Sequence, residues 1–265
     1  MSKLSSNSYA VITGASSGIG REFARILAAE GFSLILIARR LDMLCALKEE
    51  LSSIIAPDSI CITYKMDVSD FSACDEFMEY IQDQKIGVFI NNAGFGDCSY
   101  FPDGDLQKEM SMIDVNVKAV HYLTKLMVRK MLAQKGGYIL NVASSAGLLP
   151  AGPYMATYYA TKSYVTSMTM AIARELKEHG SNVYIGCLCP GPVDTEFNSV
   201  ANVEFALPGI NARDCALYAV KQMKRRVTVI IPTARMKLAI LMGRLSPLSL
   251  STAVTGMQQK KKMGR

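Results

Sequence analysis

Tyr158 and Lys162 stand at i and i+4 in a stretch with helical patterning, so a phenol and an ammonium share one helix face. An ammonium beside a phenol favours the phenolate and lowers a pKa that starts at about 10. That makes a general acid/base usable near neutral pH, although an ordinary amphipathic face could carry the same two residues. A second constellation, Thr13-Gly14-Ala15-Ser16-Ser17-Gly18-Ile19-Gly20, follows a short apolar run and opens a helical pattern. Glycines at such a junction let backbone N–H groups and a helix N-terminus approach a pyrophosphate with no Cβ in the way. A turn that merely packs strand on helix is the plainer alternative, and the spacing is G-x-x-x-G-x-G, not G-x-G-x-x-G. The next apolar run ends Ile37-Ala38-Arg39-Arg40. A dinucleotide with a free 2′-hydroxyl usually meets an Asp or Glu here. Two guanidinium groups instead suit a 2′-phosphate through charge-assisted, bidentate bonds, unless they form only an exposed charged turn. Asp42 comes too late to replace the missing acid and reads as the N-cap of the following helix.

The elements that must hold these residues alternate along the chain. Candidate strands are Tyr9 to Thr13, Ser33 to Ala38, Ile60 to Lys65, Gly87 to Ile90, Gly137 to Val142, Asn182 to Leu188 and Val227 to Ile231. Between them lie helical patterns near Ile19 to Glu30, Leu41 to Ile54, Phe71 to Gln82, Leu106 to Ala133, Tyr154 to Lys177 and Ala212 to Met223. Strand and helix in strict turn predict a parallel sheet covered on both faces, the doubly wound α/β arrangement. One domain is expected over residues 1–233, holding both the cofactor and catalytic residues. A basic helical extension is expected over residues 234–265.

Composition removes whole classes. The 265 residues are 50% apolar and 20% charged, which fits a sizeable core and excludes a disordered or collagenous chain. Seven scattered cysteines with no C-x-x-C pair and two histidines give no zinc pattern, so no metal is expected, and reduced thiols in a cytoplasm are the simplest reading. The polar start before Tyr9 does not look like a signal peptide. No apolar run approaches the roughly 20 residues of a transmembrane helix. The net charge of +6 is uneven: Asp214 is the last acidic residue, and Lys221 to Arg265 holds 11 Lys and Arg. A basic tail on a slightly acidic body points to an acidic surface or solvated helix ends, and no nucleic-acid motif accompanies it.

Taken in order, Thr13 to Gly20, Asn91-Asn92-Ala93-Gly94, Asn116, Ser145, Tyr158-x-x-x-Lys162 and Pro190-Gly191-Pro192-Val193-Asp194-Thr195 resemble the classical short-chain dehydrogenase/reductases. The resemblance covers nearly everything up to Ile231. It implies a Rossmann-type domain with a seven-stranded parallel sheet, an NAD(P) cofactor, for which Arg39 and Arg40 point to NADP(H), and a Ser-Tyr-Lys site with an assisting Asn. Tyr158 would pass a proton to the substrate oxygen, and Ser145 would polarise that oxygen. Ser145 is preferred to Ser144 because it precedes the tyrosine by 13 residues, as the family's serine does. Lys162 would hold the nicotinamide ribose, and Asn116 would anchor a water in a proton relay or mend a helix irregularity. Gly14, Ser16, Ser17, Gly18, Ile19 and Gly20 would surround the pyrophosphate, with Arg39 and Arg40 at the 2′-phosphate and Asp67 and Val68 at the adenine. Asn91, Ala93 and Gly94 would lie at the adenosine ribose, and Pro190, Gly191, Val193 and Thr195 at the nicotinamide end. The basic residue that NADP-preferring members often carry just before Gly18 is here Ser17.

The loops near the site supply Phe95, Tyr100, Phe101, Leu148, Leu149, Tyr154, Met155, Phe197, Val200, Val203, Phe205 and Leu207, and no Lys or Arg lies between Lys177 and Arg213. The expected substrate is a bulky apolar ketone or alcohol, lipid- or steroid-like. Alternatives are a 3-oxoacyl-thioester reductase and a non-catalytic NADP-binding regulatory protein. The tail looks similar to the branch with hydroxysteroid dehydrogenases and long-chain 3-ketoacyl reductases. The resemblance implies a homodimer or homotetramer. Two tail helices are expected, Ala234 to Leu245 and Pro247 to Gln259, with Ser246 as N-cap of the second. They would cover the pocket, meet a partner subunit or touch a membrane surface from the cytoplasm.

Overall fold

The apolar runs are nearly continuous, as strands buried on both faces require, and in the computed structural model each becomes a parallel strand. The structure describes residues 8–197, 201 and 209–262. In chain order the elements are β1 (Tyr9–Thr13), α1 (Gly18–Ala29), β2 (Ser33–Ala38), α2 (Leu41–Leu51), β3 (Cys61–Lys65), α3 (Phe71–Tyr80) and β4 (Ile86–Asn91). There follow α4 (Leu106–Ile113), α5 (Val120–Ala133), β5 (Gly137–Val142), α6 (Ala156–Glu178), β6 (Val183–Leu188), β7 (Val193–Asp194) and β8 (Ile210–Asn211). The described chain closes with α7 (Ala212–Lys224), β9 (Val229–Ile230), α8 (Ala234–Leu245) and α9 (Leu248–Lys262). Seven strands form one sheet in the order β3-β2-β1-β4-β5-β6-β9, all parallel. This is the Rossmann-type, doubly wound fold that the alternation of elements predicts.

Successive strand residues point to opposite faces. Ala10, Ile12, Leu34 and Leu36 meet Phe23, Leu27, Leu44 and Ala219 from α1, α2 and α7. Val11, Ile35 and Ile37 meet Phe77, Leu123, Met127 and Leu176 from α3, α5 and α6. A buried polar chain crosses the second layer. Asn91 donates to Thr124 (3.3 Å), Thr124 to Asn141 (3.0 Å) and Asn141 to Thr169 (2.9 Å), tying β4 and β5 to α5 and α6.

Four local readings change. The single helix expected over Leu106 to Ala133 is interrupted by a π-helical turn, Asp114–Ala119, which buries Asn116. Asp42 does not cap α2; Arg40 takes the N-cap position and Asp42 sits in the first turn. Ser246 Oγ donates back to Met242 O at 2.7 Å, so it closes α8 and does not open α9, which begins at Leu248. β7 and β8 form an unforeseen separate parallel pair, because two-residue strands carry no periodicity. The strand order reverses between β1 and β4, and a crevice opens there beyond the strands' C-terminal ends.

Candidate active site

That crevice is a cavity of about 680 Å³. Its first wall is the glycine loop, where Gly14, Ser16, Ser17, Gly18 and Ile19 line it. Gly14 adopts φ +63°, and a Cβ on Gly20 would come within 2.3 Å of Gly14 O, so α1 can sit this close only without side chains there. Thr13 Oγ1 accepts from Asn92 N (2.9 Å) and Ala93 N (3.0 Å), while Asn92 Nδ2 donates to Thr13 O (3.0 Å) and Gly14 O (3.1 Å). These bonds lock β1 to the end of β4. The cavity wall there is Asn92, Ala93 and Gly94; the Asn91 amide instead faces α5, donating to Val120 O and Thr124. At α1, Ser17 makes no side-chain cap bond and the first turn holds no acid. Asp70 and Asp105, by contrast, cap α3 and α4. The α1 dipole therefore meets the cavity unneutralised.

Arg39 reaches out beside this loop with 74% of its side chain exposed, its Nη1 3.8 Å from Asp67 Oδ2. Burial pushes the Asp67 carboxyl up, but bonds from Ser69 and the charge of Arg39 hold it below its ordinary pKa. Arg40 donates to Ser16 Oγ (3.3 Å) and Glu196 Oε2 (3.1 Å), bridging the glycine loop to the segment after β7. Asp67 and Val68 line the cavity as well.

At the other end, Tyr158 and Lys162 occupy successive turns of α6 and are 8% and 4% exposed. Lys162 Nζ lies 5.9 Å from the Tyr158 ring centre and donates to Val142 O at 3.0 Å. Burial dominates both groups. It pushes the Tyr158 phenol up to about 12, against a lowering hydrogen bond from Ser144, and the Lys162 ammonium down to about 8. The expected lowering of the phenol by the ammonium does not set its direction: loss of water raises it, and the lowering contribution comes from Ser144.

The serine hydrogen-bonded to the Tyr158 hydroxyl is Ser144, not the expected Ser145. Ser144 also caps a short 3₁₀ turn, Ser145–Leu148, by accepting from Ala146 N. Ser145 lines the cavity, and its N–H is anchored on Pro190 O at 2.7 Å. A count of thirteen residues measures chain length, whereas reach depends on the path of the loop between serine and tyrosine. The useful signal was the position of Ser144 directly beyond β5.

Asn116 is fully buried in the π-helical turn. Its Oδ1 accepts from Phe95 N (3.1 Å), and its Nδ2 donates to Phe95 O (2.8 Å) and Thr161 Oγ1 (3.2 Å). The amide thus clamps the loop after β4 against α6. A Cβ on Gly94 would meet both Asn116 Oδ1 (2.8 Å) and Lys162 Nζ (3.2 Å), so the two side chains converge behind that glycine. Pro190, Gly191, Val193 and Thr195 line the same end of the cavity.

The surroundings of Tyr158 are apolar. Its ring lies 5.6 Å from that of Phe197 and packs with Met155, Met112 and Ala146. Phe95, Met155 and Phe197 line the cavity. Tyr100 and Phe101 are exposed, and Leu148 packs in a separate cluster. Val200, Val203, Phe205 and Leu207 lie outside the described residues. The lining also includes Lys108, whose charge is matched by Asp97. Gln259 joins the wall from α9, donating from Nε2 to Tyr159 Oη at 2.8 Å. Its Oε1 is buried and has no hydrogen-bond partner among the described residues. No motif announces a contact that spans so much of the chain.

The sequence pattern of the family described as short chain dehydrogenase matches residues 8–204. A very-long-chain 3-oxoacyl-CoA reductase of Pyrenophora tritici-repentis is 32% identical over 204 residues, which cover 76% of this chain and 59% of that one. The chain thus spans little more than half the length of that relative. A solved short-chain dehydrogenase/reductase of Burkholderia phymatum in complex with NAD is similar with a TM-score of 0.83 at 25% identity, over 95% of this chain and 97% of that one. A short-chain dehydrogenase of Sphingobium yanoikuyae in complex with NADPH is similar with a TM-score of 0.79 at 26% identity, over 89% and 93%.

Proposed function

Because the chain belongs to the short-chain dehydrogenase family, we propose that it is an NADP(H)-dependent oxidoreductase that interconverts a ketone and a secondary alcohol on a hydrophobic, lipid- or steroid-like molecule. The observation that carries this reading is the buried Tyr158 hydroxyl, bonded to Ser144, in an apolar pocket continuous with an uncapped helix N-terminus. The residues fit a dinucleotide. Gly14, Ser16, Ser17, Gly18 and Ile19 line the cavity at the α1 N-terminus, Gly14 and Gly20 let β1, α1 and Asn92 close up behind it where a Cβ would clash, and the free α1 dipole suits a pyrophosphate. When bound, the dinucleotide supplies or takes up the hydride.

Ser144 and Tyr158 would hold the substrate oxygen between two hydroxyls. With its phenol near 12, Tyr158 is protonated at neutral pH and set to donate to a carbonyl oxygen, the acid role of reduction. Taking a proton from an alcohol needs the phenolate, so the oxidative direction should quicken as pH rises. Lys162 would hold the ribose, and Asn116 keeps the Gly94 loop in register beside it. Ser145 anchors the loop on Pro190 and lines the pocket.

Arg39 supports the choice of NADP(H), since it is extended beside the adenine end with only a loose carboxylate partner. Arg39→Ala should weaken NADPH binding about tenfold or more and change NADH binding little. Equal affinity of the parent protein for both dinucleotides, measured by titration, would reject the preference.

A second reading, a 3-oxoacyl-thioester reductase, is favoured by the name of the Pyrenophora relative. NADPH oxidation measured over a panel of ketosteroids, bulky ketones and 3-oxoacyl thioesters separates the two, and no turnover on any member would reject both. For assembly we read a homodimer or homotetramer through α5 and α6. The groove between those helices, about 750 Å³ and lined by Val128, Leu132, Met168 and Ile172, supports it. Sedimentation velocity tests the point.

A further inference from the structure

α8 and α9 form a hairpin whose sidedness is reversed. On α9 the residues turned to the protein are Ser251, Thr255, Gly256 and Gln259, all buried, while Leu248, Leu250, Val254 and Met257 are exposed. The inner set recurs at helical spacing and falls on one face. Its polar groups are used at short range: Ser251 Oγ donates to Gly243 O (3.1 Å), Thr255 Oγ1 to Ser251 O (2.6 Å) and Gln259 to Tyr159. α8 leaves Leu238, Leu241, Met242 and Leu245 exposed, Leu245 by 74%, and fully buries only Ile240. A helix covering a body in water shows the opposite arrangement. An apolar patch of this breadth marks a surface that meets something apolar.

The charges around the patch say what that is. Arg235, Lys237, Arg244, Lys260 and Lys261 are all exposed on the hairpin, and the sequence after Asp214 contains no Asp or Glu. We infer that the α8–α9 hairpin docks this protein on the surface of an anionic lipid bilayer, its leucines at the acyl boundary and its Lys and Arg among the headgroups. A second copy of the chain fits less well, because a two-fold contact would press two wholly cationic surfaces together. The hairpin lies on the membrane without crossing it: among the described residues no helix is long and apolar enough to span. The inner face of α9 carries Gln259 into the cavity wall, so the docked face and the pocket share one helix. The inference goes beyond the redox reading and stands without it, since binding is measured with no turnover.

The full chain is sedimented with vesicles of phosphatidylcholine alone and of equimolar phosphatidylcholine and phosphatidylglycerol, at low and high salt. Binding to the anionic vesicles is expected, reduced but not abolished by salt. Lys261→Ala should weaken it about fivefold. Leu245→Ser with Leu248→Ser, both at exposed positions, should weaken it about tenfold or more at low salt while soluble turnover and melting temperature stay unchanged. Absence of binding to anionic vesicles overturns the inference. So does binding that salt removes completely and the leucine substitutions leave intact. A vesicle-free oligomer that the same substitutions dissociate would assign the face to a second copy and overturn it too.

Discussion

At the scale of single residues, burial sets the protonation of the site. Lys162 binds its proton less tightly in the folded chain than its ordinary 10.5, at about 8. The folded state therefore holds fewer protons than the unfolded one between these values, and stability rises with pH across that window. Lys162→Met should raise the melting temperature at about pH 6–7 and abolish turnover, and the two proteins should converge above about pH 10. A lower melting temperature at every pH would mean that the bond to Val142 O outweighs the buried charge. Ser144→Ala should reduce turnover about a hundredfold or more, the effect of removing one donor from a reacting oxygen. Ser145→Ala should change it only severalfold, because the anchor on Pro190 is a backbone N–H, and the reverse ranking would restore Ser145. Tyr158 and Lys162 were legible because helix geometry fixes their separation. Ser144 was not, because a loop separates it from the tyrosine.

At the scale of elements, the strands could be read to within a residue or two because burial on both faces makes them continuously apolar, and glycines and caps punctuate them. The π-helical turn at Asn116 could not be read from periodicity, although an irregularity that Asn116 mends was among the expectations there. It differs from the helices around it by one hydrogen-bond register, and its cause is a contact with Phe95 across the fold. The same holds for the polar chain Asn91, Thr124, Asn141 and Thr169, whose members sit on four separate elements. Thr124→Val would leave the Asn91 amide one acceptor fewer and Asn141 Oδ1 without the Thr124 donor. It should destabilise the fold by about 1–3 kcal/mol in urea unfolding, although valine fills nearly the same volume. A neutral result would show that water or a shifted amide takes the place of the hydroxyl.

At the scale of the molecule, the span of α8 was legible from sequence, whereas the polar face that α9 turns to the protein was not. Leu238, Leu241, Leu245 and Leu248, apolar positions that the sequence leaves to protein, a partner subunit or lipid, are exposed, and polar Gln259 is buried. Tyr159 leaves the face shared by Tyr158 and Lys162, yet its hydroxyl accepts the bond that holds α9. Tyr159→Phe should therefore leave the chemical step nearly intact and loosen the hairpin, seen as faster proteolysis within residues 248–262. The polar seam beneath α9 has a further effect on how the molecule divides its time. The face that α9 seats on the protein is Ser251, Thr255, Gly256 and Gln259, so lifting the helix exposes little apolar surface to water. Its opening is therefore opposed far less than that of β1 or β4, whose Ile12, Phe89 and Ile90 are fully buried. Deuterium should enter the amides of α9 through this local opening long before it reaches β1 or β4, and because Gln259 lines the cavity, each opening also unseats one wall of the pocket.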